Sequence, residues 1–309
     1  MVGNSRRFKK VGYNLPKFLL NCGDKLMIEH VLSMFSYDDT FHLILNKNHN
    51  IKKKYLNFLK NLAPNIHLYY IDAHEKGPTI SILNCDLQIS ENEEIIISYC
   101  DFTVEWDYKL FLRSTYGYDA SAPYFEGFQA ASLGNTYYAY MKKNNNMMKK
   151  LSEKKPFTKN RINEPASTGV YYFKSFSYFK ILTDKLLSNQ KKFPNDEVYV
   201  SLLLNEIVRM GGTVNMFKVD KFICFGTPED YEQFNYWFSH FNKKTIKKRQ
   251  IISDISLIPM AGEGKRFKKY GYRTLKPIIQ IGNETLLNKC VSSLPKSNQQ
   301  IFLMRKKIY

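Results

Sequence analysis

No two cysteines of this chain stand close enough in sequence to suggest a metal site or a disulfide framework: Cys22, Cys85, Cys100, Cys224 and Cys290 are isolated. They read as small core residues of a reducing compartment. No apolar run approaches about 18 residues, which argues against a membrane-spanning helix. The opening "MVGNSRRFKK" lacks the continuous apolar stretch of a secretory signal. A cytoplasmic protein is therefore expected. Acidic residues are also scarce, 28 against 46 Lys and Arg, for a net charge of +18. Such a balance concentrates anions, so nucleic acid, anionic lipid and phosphorylated small molecules are admissible partners. An aromatic–basic motif of the RNA-recognition type is missing, so nucleic acid is not the expected one.

What the chain does have is a duplication. "GNSRRFKKVGYNLPK" (Gly3–Lys17) returns as "GEGKRFKKYGYRTLK" (Gly262–Lys276). Gly3, Arg7, Phe8, Gly12, Tyr13, Lys17 and Gly23 match Gly262, Arg266, Phe267, Gly271, Tyr272, Lys276 and Gly282, each 259 positions on and without a gap. An internal repeat signals duplicated structural units. The later copy is preceded by "DISLIPM" (Asp254–Met260), an apolar run feeding a Gly-rich turn, as a buried parallel strand does. The earlier copy starts at the equivalent of Met260, so this reading gives a first domain over 1–242 without its leading strand. A basic linker over 243–250, with "KKTIKKR", and a partial repeat over 251–309 follow. Ile255–Pro259 is expected to dock beside "FHLILN" (Phe41–Asn46) as a permuted first strand.

Between the copies, apolar strands alternate with helical patterns. "FHLILN", "IHLYYID" and "EEIIISYCDF" read as strands, and "KLMIEHVLSMF", "TISILNCDLQI" and "WDYKLFLRST" as helices. "EVYVSLLLNEIVRMGG" is a helix with Gly at its end. The alternation predicts an α/β fold with a mostly parallel central sheet, helices on both faces, and a small antiparallel extension within Pro123–Phe173. With 309 residues and 44% hydrophobic content, the chain can fill one large or two modest cores.

A glycine-rich turn after a strand lets backbone N–H groups approach phosphate, because glycine has no Cβ to interfere. An arginine within the turn and a lysine just beyond add charge for a triphosphate. Asp101 closes an apolar strand, at the edge of a parallel sheet where ligands bind. One carboxylate with substrate phosphates is how Mg²⁺ is usually held.

Taken in order, "GNSRRF", "GYNLPK", "KGPTISIL", "SYCDF", "GFQAASLGNTYYAYM", "EKKPFT", "NEPASTGVYYFKS", "NDEVYVSLLLN" and "GTPEDYEQF" resemble the sugar-nucleotide pyrophosphorylase type of nucleotidyltransferase. More narrowly, the chain is similar to the bacterial capsule and surface-polysaccharide branch over about Met1–Phe238. The resemblance implies a Rossmann-like nucleotidyltransferase fold and transfer of a nucleotidyl group from an NTP to a sugar 1-phosphate, with Mg²⁺ as cofactor and pyrophosphate released. By motif position it implies that Gly3, Asn4 and Ser5 cradle phosphate and that Arg7 and Lys17 are the catalytic cations. Gly77 and Pro78 of "KGPT" would form a second nucleotide-binding turn. Glu153, Lys154, Glu164 and Gly169 would hold the sugar phosphate, with Glu197 a weaker addition, and Asp101 the metal. Relatives carry a second metal-binding Asp just before the late Gly-Thr; "FICFGT" offers Cys224 and Phe225 there. A homo-oligomer stays open. Two alternatives stand beside this reading: a related GT-A type glycosyltransferase, and a non-catalytic nucleotide-binding fragment of a tandem protein.

Overall fold

The computed structural model describes residues 1–127, 129–134, 137–189, 193, 197–242 and 251–305. The basic stretch Lys243–Gln250 lies outside them. The chain divides into two compact units, Met1–Asn242 and Lys243–Tyr309. No helix among the described residues is long and apolar enough to cross a membrane.

The first unit runs α1 (Arg6–Lys10), the short strands β1 (Asn21–Cys22) and β2 (Lys25–Leu26), α2 (Met27–Leu32), β3 (Phe41–Asn46), α3 (Lys53–Lys60), β4 (Ile66–Ile71), α4 (Pro78–Leu83) and β5 (Ile95–Ser98). It continues through β6 (Phe102–Glu105), α5 (Tyr108–Ser114), β7 (Ala120–Phe125), α6 (Ala130–Leu133), β8 (Ala139–Asn144), β9 (Met147–Glu153), β10 (Ala166–Ser167) and β11 (Val170–Phe173). It ends with α7 (Phe176–Asn189), α8 (Val200–Arg209), β12 (Val214–Lys218), β13 (Lys221–Cys224) and α9 (Pro228–Phe241).

The sheets are mixed, which corrects the mostly parallel sheet expected. In the seven-stranded sheet, order β10-β8-β9-β12-β7-β11-β5, only β12 and β7 run parallel. β11 lies between β7 and β5, antiparallel to both. The reason is local. β10 and β11 follow β7 as one strand, broken where Gly169 takes φ +96° and shifts the register from Ser167↔Tyr124 to Tyr172↔Ser121. The antiparallel segment is thus woven into the centre of the sheet. β3 and β4 pair in parallel over six residues as a separate two-stranded sheet.

Two cores hold this unit. One packs Leu203, Leu204 and Ile207 of α8 with Phe179 and Leu182 of α7 and Val214 of β12. The other joins Leu43 and Leu45 of β3 to Ile28 of α2 and Phe222 of β13. A smaller cluster sets Phe8 of α1 against Tyr231 of α9. Asn235 of α9 accepts from the Gly23 N–H at 2.7 Å and donates to the Asn21 carbonyl at 3.2 Å, so the last helix clamps the first loops.

The second unit consists of β14 (Ile251–Pro259), α10 (Lys265–Lys269), β15 (Gln280–Ile281), β16 (Glu284–Thr285), α11 (Leu286–Ser293) and β17 (Lys296–Leu303). α10, β15 and β16 match α1, β1 and β2 at both ends with the 259-residue offset of the sequence, and α11 starts where α2 does. β14 pairs in parallel with β17 within this unit, the arrangement the docking expected for Ile255–Pro259 would have given beside β3. Ser256 and Ile258 are the only buried residues of this unit among those whose burial is described, too few for a core.

Candidate active site

The Gly-rich turn begins where β3 ends. Buried Asn46 closes that strand and donates through Nδ2 to the Val2 carbonyl at 2.9 Å and to Asn4 Oδ1 at 3.2 Å. His49 Nε2 lies 3.2 Å from the Gly3 carbonyl oxygen. Ser5 adopts a left-handed conformation, φ 51°, and its Oγ accepts from the Lys17 N–H at 3.2 Å. The two ends of the motif are therefore tied together. Phe18 and Leu19, buried directly after Lys17, fix that lysine's backbone in the core and leave its side chain to reach the cavity.

Lys17 Nζ donates to Asp101 Oδ2 at 2.6 Å, with about a quarter of each side chain exposed (26% and 22%). Burial works against the Lys17 charge, but the Asp101 carboxylate outweighs it and raises the lysine above its ordinary range. Asp101 is placed by the link from β5 to β6. Its carbonyl accepts from the Phe225 N–H at 2.8 Å, an extension of the β6–β13 ribbon. A Cβ on Gly226 would stand 3.1 Å from Asp101 Oδ2 and 3.3 Å from Cys224 Sγ. That position thus carries no side chain where the chain passes the carboxylate.

Asp101 borders two cavities. The larger, about 700 Å³, takes in Gly3, Ser5, Lys17, Gly77 and Pro78. The smaller, about 140 Å³, takes in Arg7, Glu153, Gly169, Cys224 and Asp230. Arg7 stands over Tyr137, its guanidinium carbon 4.5 Å from the ring centre, and both line the smaller cavity. Burial raises the Glu153 carboxyl, and Ser201 donates to it at 2.5 Å. Burial also lifts the Cys224 thiol to about 12, with the charges of Asp101 and Asp230 adding to the effect.

The remaining sequence candidates fall differently. Gly77 has φ +93°, and a Cβ there would lie 2.6 Å from the Val198 backbone N. The Thr79 N–H donates to the Val198 carbonyl at 3.2 Å and the Val198 N–H to Lys76 at 2.9 Å. "KGPT" is thus interlocked with the segment before α8, and part of its amide set is already taken. Lys154, at φ 57°, lays its ammonium over Tyr199, 4.4 Å from the ring centre, and stands 3.9 Å from Glu197. Glu164 is the one candidate carboxylate that neither cavity takes in. It accepts from the Phe157 N–H at 2.8 Å and from the N–H and hydroxyl of Thr158, so it closes a surface loop. Its lone pairs are thus used locally, apart from both cavities.

The sequence reading missed Tyr99, Tyr171, Ser201 and Tyr137. Tyr99 borders both cavities and stands two residues before Asp101, a spacing that a strand-alternation argument would have caught. Among the described residues no three His, Cys, Asp or Glu side chains stand together as a metal site. Asp101 is thus a single-carboxylate candidate. The neutral Cys224 thiol is a poor ligand for a hard cation, which prefers oxygen.

No family model matches this chain, and no curated protein matches it. Solved structures do. A nucleoside-diphosphate-sugar pyrophosphorylase from Vibrio cholerae RC9 is similar with a TM-score of 0.61 and 19% identity, over 76% of this chain and 98% of that one. A putative glucose-1-phosphate thymidylyltransferase from Bacillus anthracis, in complex with a sucrose, is similar with a TM-score of 0.59 and 15% identity, over 76% of this chain and 92% of that one. At these identities the likeness is one of fold.

Proposed function

We propose that the first unit is a sugar-1-phosphate nucleotidylyltransferase. The NTP would sit in the larger cavity and the sugar 1-phosphate in the smaller. A phosphate oxygen of the sugar phosphate attacks the α-phosphorus in line. The bond from that phosphorus to the α,β-bridging oxygen breaks, and pyrophosphate leaves with the electron pair. Such a reaction asks the protein chiefly to position two polyanions and to stabilise charge on the leaving group.

The observation that carries this reading is Asp101 at the border of both cavities, paired with Lys17 on the larger side and sharing the smaller with Arg7. Lys17 would move from Asp101 to the α-phosphate region, and Arg7, which lines the smaller cavity, would have to reach past Asp101 to hold the β- and γ-phosphates. Asp101, so released, fits Mg²⁺ as one carboxylate ligand beside substrate oxygens and water; the cation would neutralise phosphate charge there. Gly3, Asn4 and Ser5 would cradle phosphate, and Glu153 with Gly169 would line the sugar pocket. A role in capsule or surface-polysaccharide synthesis rests on the motif resemblance, and the division into a domain over 1–242 and a partial repeat over 251–309 on the 259-residue offset.

One observation favours a second reading, nucleotide binding without turnover: Cys224 stands where a second metal-binding carboxylate was expected. Pyrophosphate release across a panel of NTPs and sugar 1-phosphates decides between them, with Lys17→Ala as control. Turnover with one pair, abolished in the control, supports the transferase. NTP binding without pyrophosphate from any pair supports the binding module.

A further inference from the structure

The lining of the smaller cavity runs against the charge of the chain. Lys and Arg outnumber Asp and Glu by 46 to 28 overall, yet Arg7 shares this lining with three carboxylates, Asp101, Glu153 and Asp230. Asp101 has Lys17 as its partner. The other two have hydroxyls: Ser201 donates to Glu153 at 2.5 Å, and Thr227 to Asp230 at 2.9 Å. Among the described residues no ion pair joins either of these to a cation. Glu153 is the sharper case. The buried carboxylate of α8, Glu206, is gripped by Arg209 at 2.6 and 2.8 Å. Glu153, desolvated enough that burial raises its carboxyl, has no such grip. Lys154, its neighbour in sequence, sends its ammonium to Tyr199 and Glu197 and eases that charge only from a distance. A desolvated carboxylate without a counter-ion is costly, and such groups cluster where ligands bind.

The rest of the lining suits a positive charge. Tyr99, Phe102, Tyr138, Tyr171 and Phe222 border the same space. Tyr99 and Tyr171 meet edge to face with 6.0 Å between ring centres, and Glu153 is close enough for its charge to act on both hydroxyls. A Cβ on Gly169 would stand 3.1 Å from the Tyr99 and Phe102 rings, so that position lays no side chain across them. The Tyr99 hydroxyl is enclosed and makes no hydrogen bond of normal geometry, although the Val200 backbone lies near it. Its oxygen is an acceptor left over for a donor. Arg7 over Tyr137 is a cation already held at one ring of this cavity. Aromatic rings are receptors of ammonium groups, and a carboxylate beside them supplies the counter-charge. A neutral hydroxyl donates to Glu153 as well, but brings no charge to offset the desolvation.

We propose that the smaller cavity selects a cation: the sugar 1-phosphate accepted by the first unit carries a free amino group, protonated and held by Glu153 beside the rings of Tyr99 and Tyr171. The phosphate half of this statement rests on the transferase reading, and the amine half on the cavity alone. Asp230 adds attraction from the same lining, and a uronic or other acidic sugar is disfavoured by the same charges.

The test compares ligands that differ in that one charge. The probes are the four glucose 1-phosphates in which an amine replaces the hydroxyl at carbon 2, 3, 4 or 6, each beside its N-acetyl form, and glucose 1-phosphate itself. Calorimetry on the full-length chain at pH 7 reads binding, alone and with each NTP added, under a chelator that prevents turnover. At least one amine should bind about 10- to 100-fold tighter than both its N-acetyl form and glucose 1-phosphate, the range of one charge-assisted hydrogen bond. Glu153→Gln, which keeps the side-chain volume and whose folding is checked by melting, should bring that preference within about twofold. Equal or weaker binding of all four amines overturns the proposal, and so does a preference that survives in Glu153→Gln. Binding of no sugar phosphate under any condition overturns it as well. Pyrophosphate release, measured with Mg²⁺ restored, separates the two readings. Release from glucose 1-phosphate with no preference for an amine ends this proposal and keeps the transferase. Amine-selective binding without release from any pair ends the transferase and keeps the selectivity of the cavity.

Discussion

Replacing Lys17 with methionine and Asp101 with asparagine, singly and together, measures how far these two groups act as one unit. The ammonium and carboxylate are 2.6 Å apart, with only 26% and 22% of the side chains exposed. Bare attraction between unit charges about 4 Å apart at an effective dielectric near 20 is about 4 kcal/mol, an upper bound before the desolvation already incurred. Charge-assisted hydrogen bonds measured in proteins contribute about 1.5–3 kcal/mol. Each single variant leaves its partner partly buried and unpaired, so each is expected to lose about 2–4 kcal/mol. The double variant should lose less than the sum, with a coupling of about 1.5–3 kcal/mol. Urea titration followed by tryptophan fluorescence reads this directly, because both tryptophans, Trp106 and Trp237, belong to the first unit. The pH dependence has a definite sign. Lys17 in the folded chain lies above its ordinary value of 10.5, so the stability it contributes is complete below that pH and is lost as pH rises beyond it. The gap between parent and double variant should narrow in that alkaline range. Coupling under about 0.5 kcal/mol, or a gap that narrows on acidification instead, would refute the reasoning.

Three further perturbations separate positioning from binding. Gly77→Ala forces a Cβ to 2.6 Å from the Val198 nitrogen at φ +93°, so a stability loss of at least about 3 kcal/mol and a raised KM for the NTP are expected in denaturation and steady-state assays. Glu153→Gln should leave the chain more stable than the parent at pH 7. Burial raises this carboxyl, so the folded chain loses stability as pH rises through the window above the ordinary carboxylate range, and glutamine removes that loss. The difference in Tm should vanish near pH 4. Glu164→Ala removes three acceptor contacts from the loop at Phe157 and Thr158 and should cost about 1–2 kcal/mol, while KM for both substrates stays within about twofold.

Much of the element order could be read directly, because strong local patterns decided it. "FHLILN" is β3 residue for residue, and "PEDYEQF" opens α9 behind its Thr227 cap. Strand direction was not legible. "VYYF" in β11 is buried on both faces, and such a run looks the same whether its neighbours are parallel or antiparallel. The turn at Gly169 that reverses the choice is a single residue. Motif order singled out Lys17 and Asp101, which pair across 84 positions, and Arg7, which shares only the smaller cavity with Asp101. What escaped was whatever depends on pairing between distant strands: the β6–β13 ribbon sets Cys224 beside Asp101, and α8 aims Ser201 at Glu153. The local clamp made by Glu164 was illegible for the opposite reason. Its partners lie within seven residues, and a local clamp leaves no mark that distinguishes it from a ligand.

Asn46 moors the Gly-rich turn to β3 through the Val2 carbonyl and the Asn4 side chain. His49 and the Lys17 N–H add ties at the Gly3 carbonyl and the Ser5 hydroxyl, so the turn moves with β3 and with the segment that carries Lys17. Anything that stiffens β3 therefore stiffens the turn, and a stiffer turn surrenders less freedom when it closes on a guest. Whatever rigidifies β3 and whatever ligand settles on the turn should consequently reinforce each other.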